Sequence, residues 1–311
     1  MSPKVQSRFV EPSEAPDRPA GQPNRVDLHC HTDRSDGVLS PVQLYGAMRD
    51  CGLTLAAISD HDTLAGYRDV VAAGAVPDGL TLLPGVEINA IVTRDLGLWE
   101  GELHILGFGM DPDDAAFEDA LARQRTRRRE RFRQTVDRLR QIGLPIDAQV
   151  ASIASTDDDA MGRPTVARAL MAAGYASSVE DAFRRLLGYG CPAYVPREGL
   201  GPADAIAAIT AAGGIAVLAH FSEAPDRVQI ISELVDQGLG GLEVYYRTFD
   251  SATVERVGGV ARSLGLLPTG GTDYHGDLGS YAESHAALWV PPEVGSTILE
   301  RVGSGGTLGV P

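Results

Sequence analysis

The sequence predicts an α/β fold in which seven strands and their connecting helices form a barrel that carries a helical insertion. Two observations lead to this prediction. Short apolar runs alternate with amphipathic segments from residue 25 onwards, which is typical of repeated strand–helix units. The alternation stops between residues 111 and 196, where the pattern is helical, and then resumes. Four strands are expected before this insertion and three after it.

The first part of the barrel is expected to span residues 25–110. Its strands are predicted at 26–30, 55–59, 80–88 and 103–109. Helices are predicted at 41–51, where Ser40 is a candidate N-cap ahead of a proline, and at 67–75. Residues 93–101 predict a loop. Residues 1–24 contain few apolar side chains and predict a disordered tail.

The helical insertion is expected to span residues 111–196. Its longest helix is marked by an apolar stripe that ends before Gly143 and comprises Phe117, Leu121, Phe132, Val136, Leu139 and Ile142. Further helices are predicted at 164–173 and 178–187, and an extended segment at 192–196. Arg125 and Arg128 interrupt the stripe on its inward face, where guanidinium groups favour an anion such as phosphate. The alternative is that both arginines extend outward over an ordinary packed helix.

The second part of the barrel is expected to span residues 197–311. Helices are predicted at 202–212, 227–238 and 251–264, and strands at 215–219, 242–246 and 267–271. His220 follows the first of these strands, and a Thr-Asp-Tyr-His segment that ends at His275 follows the last.

Composition restricts the class of protein and of site. The chain has 311 residues, is 43% hydrophobic and can bury a large core. No apolar run approaches the roughly 20 residues of a membrane span, and the first residues lack the apolar region of a signal peptide, so a cytoplasmic protein without membrane contact is expected. Three cysteines without a Cys-x-x-Cys pair argue against a disulfide framework or a thiolate metal site.

The charge of the chain is uneven. A formal net charge of −15 opposes general binding to nucleic acid. Residues 123–140, however, contain nine arginines against only Glu130 and Asp137. This asymmetry indicates a local site for an anion on an otherwise acidic protein.

Histidines indicate a metal site. His29 and His31 are separated by one residue on a predicted strand and therefore point to the same side, although an isolated pair of this kind is also compatible with an exposed polar strand end. Six of the seven histidines lie at the end of a short apolar run, which in a barrel faces one shared pocket. Glu87 lies between Val86 and Ile88 and needs a partner to offset its burial; a metal is one candidate and a buried ion pair the other. Any metal must be held by nitrogen and oxygen atoms.

Seven motifs together resemble the polymerase and histidinol phosphatase (PHP) family. They are Asp27-Leu-His-Cys-His-Thr, Ser35-Asp-Gly, Ser59-Asp-His-Asp-Thr, Pro84-Gly-Val-Glu-Ile, Leu103-His-Ile-Leu-Gly, Ala219-His and Gly271-Thr-Asp-Tyr-His-Gly. The resemblance covers residues 25–276 and implies a distorted (β/α)7 barrel with a trinuclear metal centre. It assigns His29, His31, Glu87 and Asp273 to one metal, Glu87, His104 and His220 to a second, and Asp36, His61 and His275 to a third. His285 is left out as a structural or surface residue.

The helical insertion, together with Gly162-Arg-Pro and Gly190-Cys-Pro-Ala-Tyr-Val-Pro, resembles one branch of the family. This branch includes nucleoside 3′,5′-bisphosphate phosphatases and 5′-to-3′ exoribonucleases. The chain departs from its pattern at Thr165 and Tyr246, where relatives have histidine. Both are pocket positions, so the departures bear on the substrate rather than on the chemistry.

The resemblance implies hydrolysis of a nucleotide phosphoester, or of the 5′-phosphorylated end of a short RNA, by a metal-bridging hydroxide. Three divalent ions are expected, Mn²⁺ first, with Fe or Zn as alternatives. Asp62 and Arg128 are expected in catalysis, and Asp60 and Asp62 are expected to orient His61. The expected substrate-binding residues are Arg125, Arg128, Arg163, Thr165, Arg197 and Tyr246.

Two other functions stay open at this point. One is a phosphatase for a small non-nucleotide monoester such as histidinol phosphate, against which the insertion argues. The other is a non-catalytic metal-binding regulatory domain, which would be marked by lost ligands, and none is lost here. No stable protein partner is inferred.

Overall fold

The computed structural model describes residues 23–75, 79–92, 101–153, 162–276 and 279–305. The predicted disordered tail lies outside these residues except for its last two, and the predicted loop at 93–101 lies outside them except for its last residue. Among the described helices, none is long and apolar enough to cross a membrane.

Seven strands form one sheet in sequence order, as predicted. They are β1 (Val26–Asp27), β2 (Leu55–Ile58), β3 (Thr81–Val92), β4 (Gly101–Phe108), β5 (Ile215–Leu218), β6 (Gly241–Tyr246) and β7 (Leu267–Gly271). The sheet curls into a nearly closed barrel, because the chain just after β1 returns to β7: the Leu28 amide donates to the Gly270 carbonyl (3.1 Å) and the His31 amide to the Tyr274 carbonyl (3.0 Å). The predicted α/β barrel is confirmed.

Asp27 holds this closure together. Its carboxylate accepts hydrogen bonds from the Thr272 amide (2.9 Å), the Thr272 hydroxyl (2.8 Å) and the Tyr281 hydroxyl (2.8 Å). All three side chains are buried. Since β1 contains only two residues, side-chain bonds replace much of the backbone pairing that a longer strand would supply.

The barrel differs from simple strand–helix alternation at β4. This strand runs antiparallel to both β3 and β5, while the other neighbouring pairs are parallel. Only eight residues separate the end of β3 from the start of β4 in the sequence, and a connection this short joins antiparallel strands. The prediction that six histidines lie at strand ends is therefore wrong for His104, which lies inside β4, just as Glu87 lies inside β3.

The described residues form eleven α-helices, some around the barrel and some in the insertion. They are α1 (Pro41–Asp50), α2 (Ala65–Ala72), α3 (Ala115–Gln141), α4 (Asp147–Ile153), α5 (Arg163–Ala172), α6 (Val179–Ala182), α7 (Pro202–Ala211), α8 (Val228–Asp236), α9 (Ser251–Leu264), α10 (Tyr281–Ala286) and α11 (Pro292–Gly305). A π-helical turn, Phe183–Leu187, continues α6. The sequence did not predict α4, α10 or α11. For α11 a signal was present, because Val294, Ile298 and Val302 recur every four residues and are buried against the barrel.

The insertion is built on α3. Asp114 caps this helix by accepting a hydrogen bond from the Phe117 amide (2.7 Å), and Gly143, with φ 81°, follows its end. Phe132, Val136 and Leu139 pack into a cluster of buried residues drawn from 132–193 alone. The insertion thus has an apolar core of its own beside the barrel.

Replacing Asp27 tests the closure of the barrel. We expect Asp27→Ala to lower the free energy of unfolding by about 3 kcal/mol, because buried donors of Thr272 and Tyr281 lose their acceptor. Urea unfolding monitored by circular dichroism measures this change. Asp50→Ala is the matched control, because Asp50 is 71% exposed on α1 and should change stability by less than about 0.5 kcal/mol. Equal effects of the two variants would contradict this role of Asp27.

Candidate metal centre

The His-x-His pair follows β1 at the mouth of the barrel, where both imidazoles are fully buried. Two glycines allow this position by close approach. A Cβ atom at Gly271 would collide with the Cβ of His29, and one at Gly37 would collide with the carbonyl of His31. Both glycines belong to the motifs quoted above. Glycine is required at these positions because the backbone packs directly against the two histidines.

Glu87 and His104 reach the same level of the barrel from inside their strands. β3 continues past the end of β2, and the residues after β2 still pair with it through a bridge between His61 and Glu87. On the other side of β4, the Ala219 amide donates to the His104 carbonyl (3.0 Å), which places His220 beside His104. The mouth of the barrel is therefore lined by residues from strand ends and from the middle of the antiparallel pair.

All nine candidate ligands converge at this mouth. They form three groups whose nitrogen and oxygen atoms lie within 4.8 Å of one another: His29, His31, Glu87 and Asp273; Glu87, His104 and His220; His31, Asp36, His61 and His275. Glu87 is shared by the first two groups, and His31 by the first and third. The sequence had not assigned His31 to the third group.

The ring nitrogens and the carboxylate oxygen at the centre of the site are arranged to bind cations rather than to form hydrogen bonds with one another. The Nε2 atoms of His29 and His31 and the Nδ1 atom of His61 lie 3.3, 3.1 and 3.1 Å from a single carboxylate oxygen, Oε2 of Glu87. Among the described residues, these four buried atoms have no hydrogen-bond partner. Buried polar atoms are almost always paired, so ring nitrogens and a carboxylate oxygen that lie this close together without partners indicate a site for cations.

The charges at the centre also favour cations. Burial alone would lower the pKa of His31, but the carboxylates of Asp273 and Glu87 outweigh it and raise the pKa to about 10. Burial would raise the pKa of Glu87, but the imidazoles of His104 and His29 lower it well below its usual range. Burial lowers the pKa of His61 well below its usual range, so this imidazole is neutral and can donate an electron pair to a metal.

Two residues that are not in any of the three groups hold the ligands in position. Glu243, on β6, is fully buried; one of its oxygens lies 3.0 Å from Nδ1 of His29, and the other accepts a hydrogen bond from the His220 amide (2.7 Å). This contact turns Nε2 of His29 toward the centre. The Tyr246 hydroxyl donates to Oδ2 of Asp273 (2.8 Å), which leaves Oδ1 for the histidines. The sequence did not predict a function for Glu243, although a glutamate within an apolar strand is a signal of one.

Backbone strain is also concentrated here. Among the described residues, the non-glycine residues with a positive φ are Asp62 (55°), His220 (32°) and Asp273 (50°). Each follows the last residue of a strand by two or four positions and belongs to a candidate motif. Residues other than glycine rarely adopt this backbone conformation without a compensating interaction. The strain lowers stability, and it occurs where the backbone directs these residues toward the mouth.

Asp60 and Asp62 have other contacts than those expected. Asp60 accepts hydrogen bonds from the amide and hydroxyl of Thr32 (both 2.7 Å) and from the Ser35 hydroxyl (2.7 Å), and so fixes the loop that carries Asp36. Asp62 forms an ion pair with Arg128. The expectation that these two aspartates orient His61 is wrong, because their oxygens are engaged elsewhere.

The centre opens onto a cleft between the barrel and the insertion. Asp36, His61 and His104 lie at its inner end, and five arginines line its walls: Arg127, Arg128, Arg131, Arg163 and Arg197. Thr165 and Phe183 lie on the side formed by the insertion. The guanidinium of Arg163 stands over the ring of Phe183, 5.3 Å from its centroid.

The remaining predicted residues lie near this cleft in different ways. Arg125 is only 15% exposed and is not among the described residues that line the cleft; it donates to the Asp62 carbonyl (2.8 Å) and to Glu118 (2.8 Å). Tyr246 is also not among the described residues that line the cleft, and its ring lies 5.5 Å from that of His220. His285, on α10, stacks on Tyr281 and is not in any of the three groups.

Several known proteins are similar to this chain. A 5′-3′ exoribonuclease of Haemophilus influenzae is 37% identical over 198 residues, which cover 63% of this chain and 68% of that protein. A 3′,5′-nucleoside bisphosphate phosphatase of Chromobacterium violaceum is 30% identical over 267 residues, 80% of this chain and 87% of that protein. A crystal structure from Bifidobacterium adolescentis, assigned to the metal-dependent phosphoesterases, superposes with a TM-score of 0.73 at 32% identity, over 91% and 97% of the two chains. No family model matches the chain.

Replacing Glu243 tests its support of His29. Glu243→Gln keeps the shape of the side chain but brings an amide against two donors, so we expect affinity for divalent metal to fall about 10- to 100-fold. Competition with a chromophoric chelator measures this affinity. Glu233→Gln is the matched control, because Glu233 is exposed on α8. Unchanged metal affinity in a folded Glu243→Gln protein would rule out the proposed support.

Proposed function

This chain belongs to the PHP family of metal-dependent phosphoesterases, and we propose that its substrate is a nucleotide with two phosphates or the 5′-phosphorylated end of a short RNA. One observation carries the proposal: a centre made for cations opens directly onto a cleft lined by five arginines. Arginine binds phosphate through a planar fork of donors, so the cleft matches a substrate with more than one phosphate.

We further propose that three divalent ions bind here, Mn²⁺ in preference to Fe or Zn. The three groups of ligands support this number, and their mixture of imidazoles and carboxylates suits all three metals. When bound, such ions supply a water activated for attack and positive charge for the phosphate oxygens.

The side chains of the chain position the substrate and balance its charge. Arg128 is the arginine placed to bind the reacting phosphate, because it lines the cleft together with His61 and is held by Asp62. The ion pair with Asp62 fixes the guanidinium in advance, which lowers the entropy lost when phosphate binds. Arg163 begins α5 of the insertion, and Arg197 directly follows residues 192–196, the return segment that leads from the insertion back to the barrel. Both arginines are assigned to a second phosphate.

The names of the relatives agree with this division of the cleft. One relative is named for a nucleoside that carries both a 3′- and a 5′-phosphate, and another for an RNA that it degrades from the 5′ end. A nucleoside bisphosphate and the end of an RNA share one pattern, in which a non-reacting phosphate lies one nucleoside away from the reacting one. A single small monoester such as histidinol phosphate would leave part of the arginine cleft unused. A non-catalytic role is disfavoured, because all nine candidate ligands converge.

The number of metal ions is the first test. We expect elemental analysis of protein produced with Mn²⁺ to approach three ions per chain. Asp36→Ala and His275→Ala should each lose about one ion and keep the other two, because these residues belong to one group only. Wild-type protein that saturates at a single ion would exclude the trinuclear centre.

Substrate preference is the second test. We expect kcat/KM for adenosine 3′,5′-bisphosphate to exceed that for AMP by at least about tenfold, because binding of the non-reacting phosphate positions the other one. Release of inorganic phosphate by the manganese-loaded protein measures both rates. Equal values for AMP, or better values for histidinol phosphate, would refute the two-phosphate substrate.

Replacing Arg128 tests its proposed contact with the reacting phosphate. Arg128→Ala should lower kcat/KM for the bisphosphate by about 10- to 100-fold without a change in metal content, since a charge-assisted hydrogen bond is lost. Arg123→Ala removes an exposed arginine from the same helix and should stay within about twofold of wild type.

A further inference from the structure

One face of α3 leads from the cleft toward the outer end of the insertion. Arg128, Arg131, Thr135 and Arg138 follow one another on this face at spacings of three and four residues. The first three line the cleft, and Arg138 lies about 15 Å from Arg128 along the helix axis, given a rise of about 1.5 Å per residue. The basic surface therefore extends well beyond the space of one nucleotide phosphate.

The return segment of the insertion lies along this face. Arg138 donates to the Tyr194 carbonyl, and Arg131 donates to the Val195 carbonyl (3.0 Å). Arg197, two residues further on, lines the cleft. The segment thus connects the cleft with the exposed turn that precedes Tyr194.

Two tyrosines stand on that turn. Tyr189 is 63% exposed, and its ring lies 5.4 Å from the ring of Tyr194 at an angle of 71°. The turn is held by backbone hydrogen bonds from Gly188 to Phe183 (2.7 Å) and from Ala193 to Leu186 (2.9 Å). Because Phe183 also lines the cleft, the tyrosines are fixed to the same wall as the arginines.

Aromatic rings beside a basic track are the features that bind single-stranded nucleic acid. Bases stack on exposed rings, and arginines follow the phosphates between them. The net charge of −15 would repel a polyanion from most of this protein, so the arginine-rich helix is the part that attracts one. An acidic protein segment could use the arginines, but it would have no use for a tyrosine platform.

We propose that Tyr189, Tyr194 and Arg138 form an exosite, a binding surface outside the metal centre, for the nucleotides that follow the reacting end of a single-stranded RNA. The proposal rests on the proposed function, since it adds binding of further nucleotides to the proposed recognition of a 5′-phosphorylated RNA end. The exosite would make binding depend on the length of the RNA, because only substrates that reach the tyrosines gain this additional contact.

A length series tests the exosite. We expect kcat/KM of the manganese-loaded enzyme to rise from a 5′-phosphorylated dinucleotide to a hexanucleotide and then to level off. Tyr189→Ala and Arg138→Ala should each lower the ratio of hexanucleotide to dinucleotide kcat/KM about five- to tenfold. Tyr189→Phe should restore the ratio, because the phenyl ring still stacks.

Two matched controls separate the exosite from general damage to the insertion. Met171→Ala removes a partly exposed apolar side chain on α5, and Arg140→Ala removes an exposed arginine of α3 that is paired with Asp147 instead of lying along the return segment. Both should keep the wild-type ratio. A wild-type enzyme without length dependence, or Tyr189→Ala and Arg138→Ala variants that keep it, would overturn the proposal.

Binding without hydrolysis distinguishes failure of the exosite from failure of the proposed function. Fluorescence anisotropy of a labelled single-stranded hexanucleotide, in the presence of a chelator, should show about tenfold weaker binding to Tyr189→Ala than to wild type. Weaker binding supports the exosite even if no nucleotide phosphate is hydrolysed. The lack of hydrolysis would refute only the proposed function. Equal binding to both proteins, or displacement of the RNA by polyglutamate at the same concentration of charge, overturns the exosite.

Discussion

The structure depends on negative charge that is buried at the mouth of the barrel. Glu87 and Asp273 face the same histidines, and Glu243 lies directly behind them. Burying carboxylates is costly unless positive charge accompanies them. The carboxylates of Asp273 and Glu87 raise the pKa of His31, so they favour positive charge beside them. Divalent cations satisfy the same need better, because each ion can be shared by several ligands.

The shape of the barrel follows from the need to bring these ligands together. Because β1 ends after two residues, the His-x-His pair that follows it lies in the pocket at the mouth rather than in the wall of the barrel. The reversed β4 lets β3 and β4 continue past the barrel as an antiparallel pair, which carries Glu87 and His104 to the same level. Regular strand–helix alternation would place ligands only at strand ends.

The sequence predicted which nine residues come together as candidate ligands, but not how the chain presents them. The motifs around His29, His61 and Asp273 are local, and their residue types define their chemistry. The reversal of β4 depends on a short connection between two strands, which periodicity does not reveal. The support by Glu243 depends on a contact across 214 residues, and the pairing of Asp62 with Arg128 on one across 66. Contacts of this range are set by packing of the whole barrel rather than by any local pattern.

We propose that the candidate metal centre and the insertion contribute separately to substrate recognition. A cluster of cations attracts any phosphate ester and discriminates poorly among the groups attached to it. Discrimination must come from residues at a distance from the reacting atom, where binding energy can orient the substrate. We propose that in this chain those residues belong largely to α3 and to the return segment, both outside the strands of the barrel. On this proposal, changes at positions such as Thr165 alter the substrate while the chemistry at Glu87 stays the same.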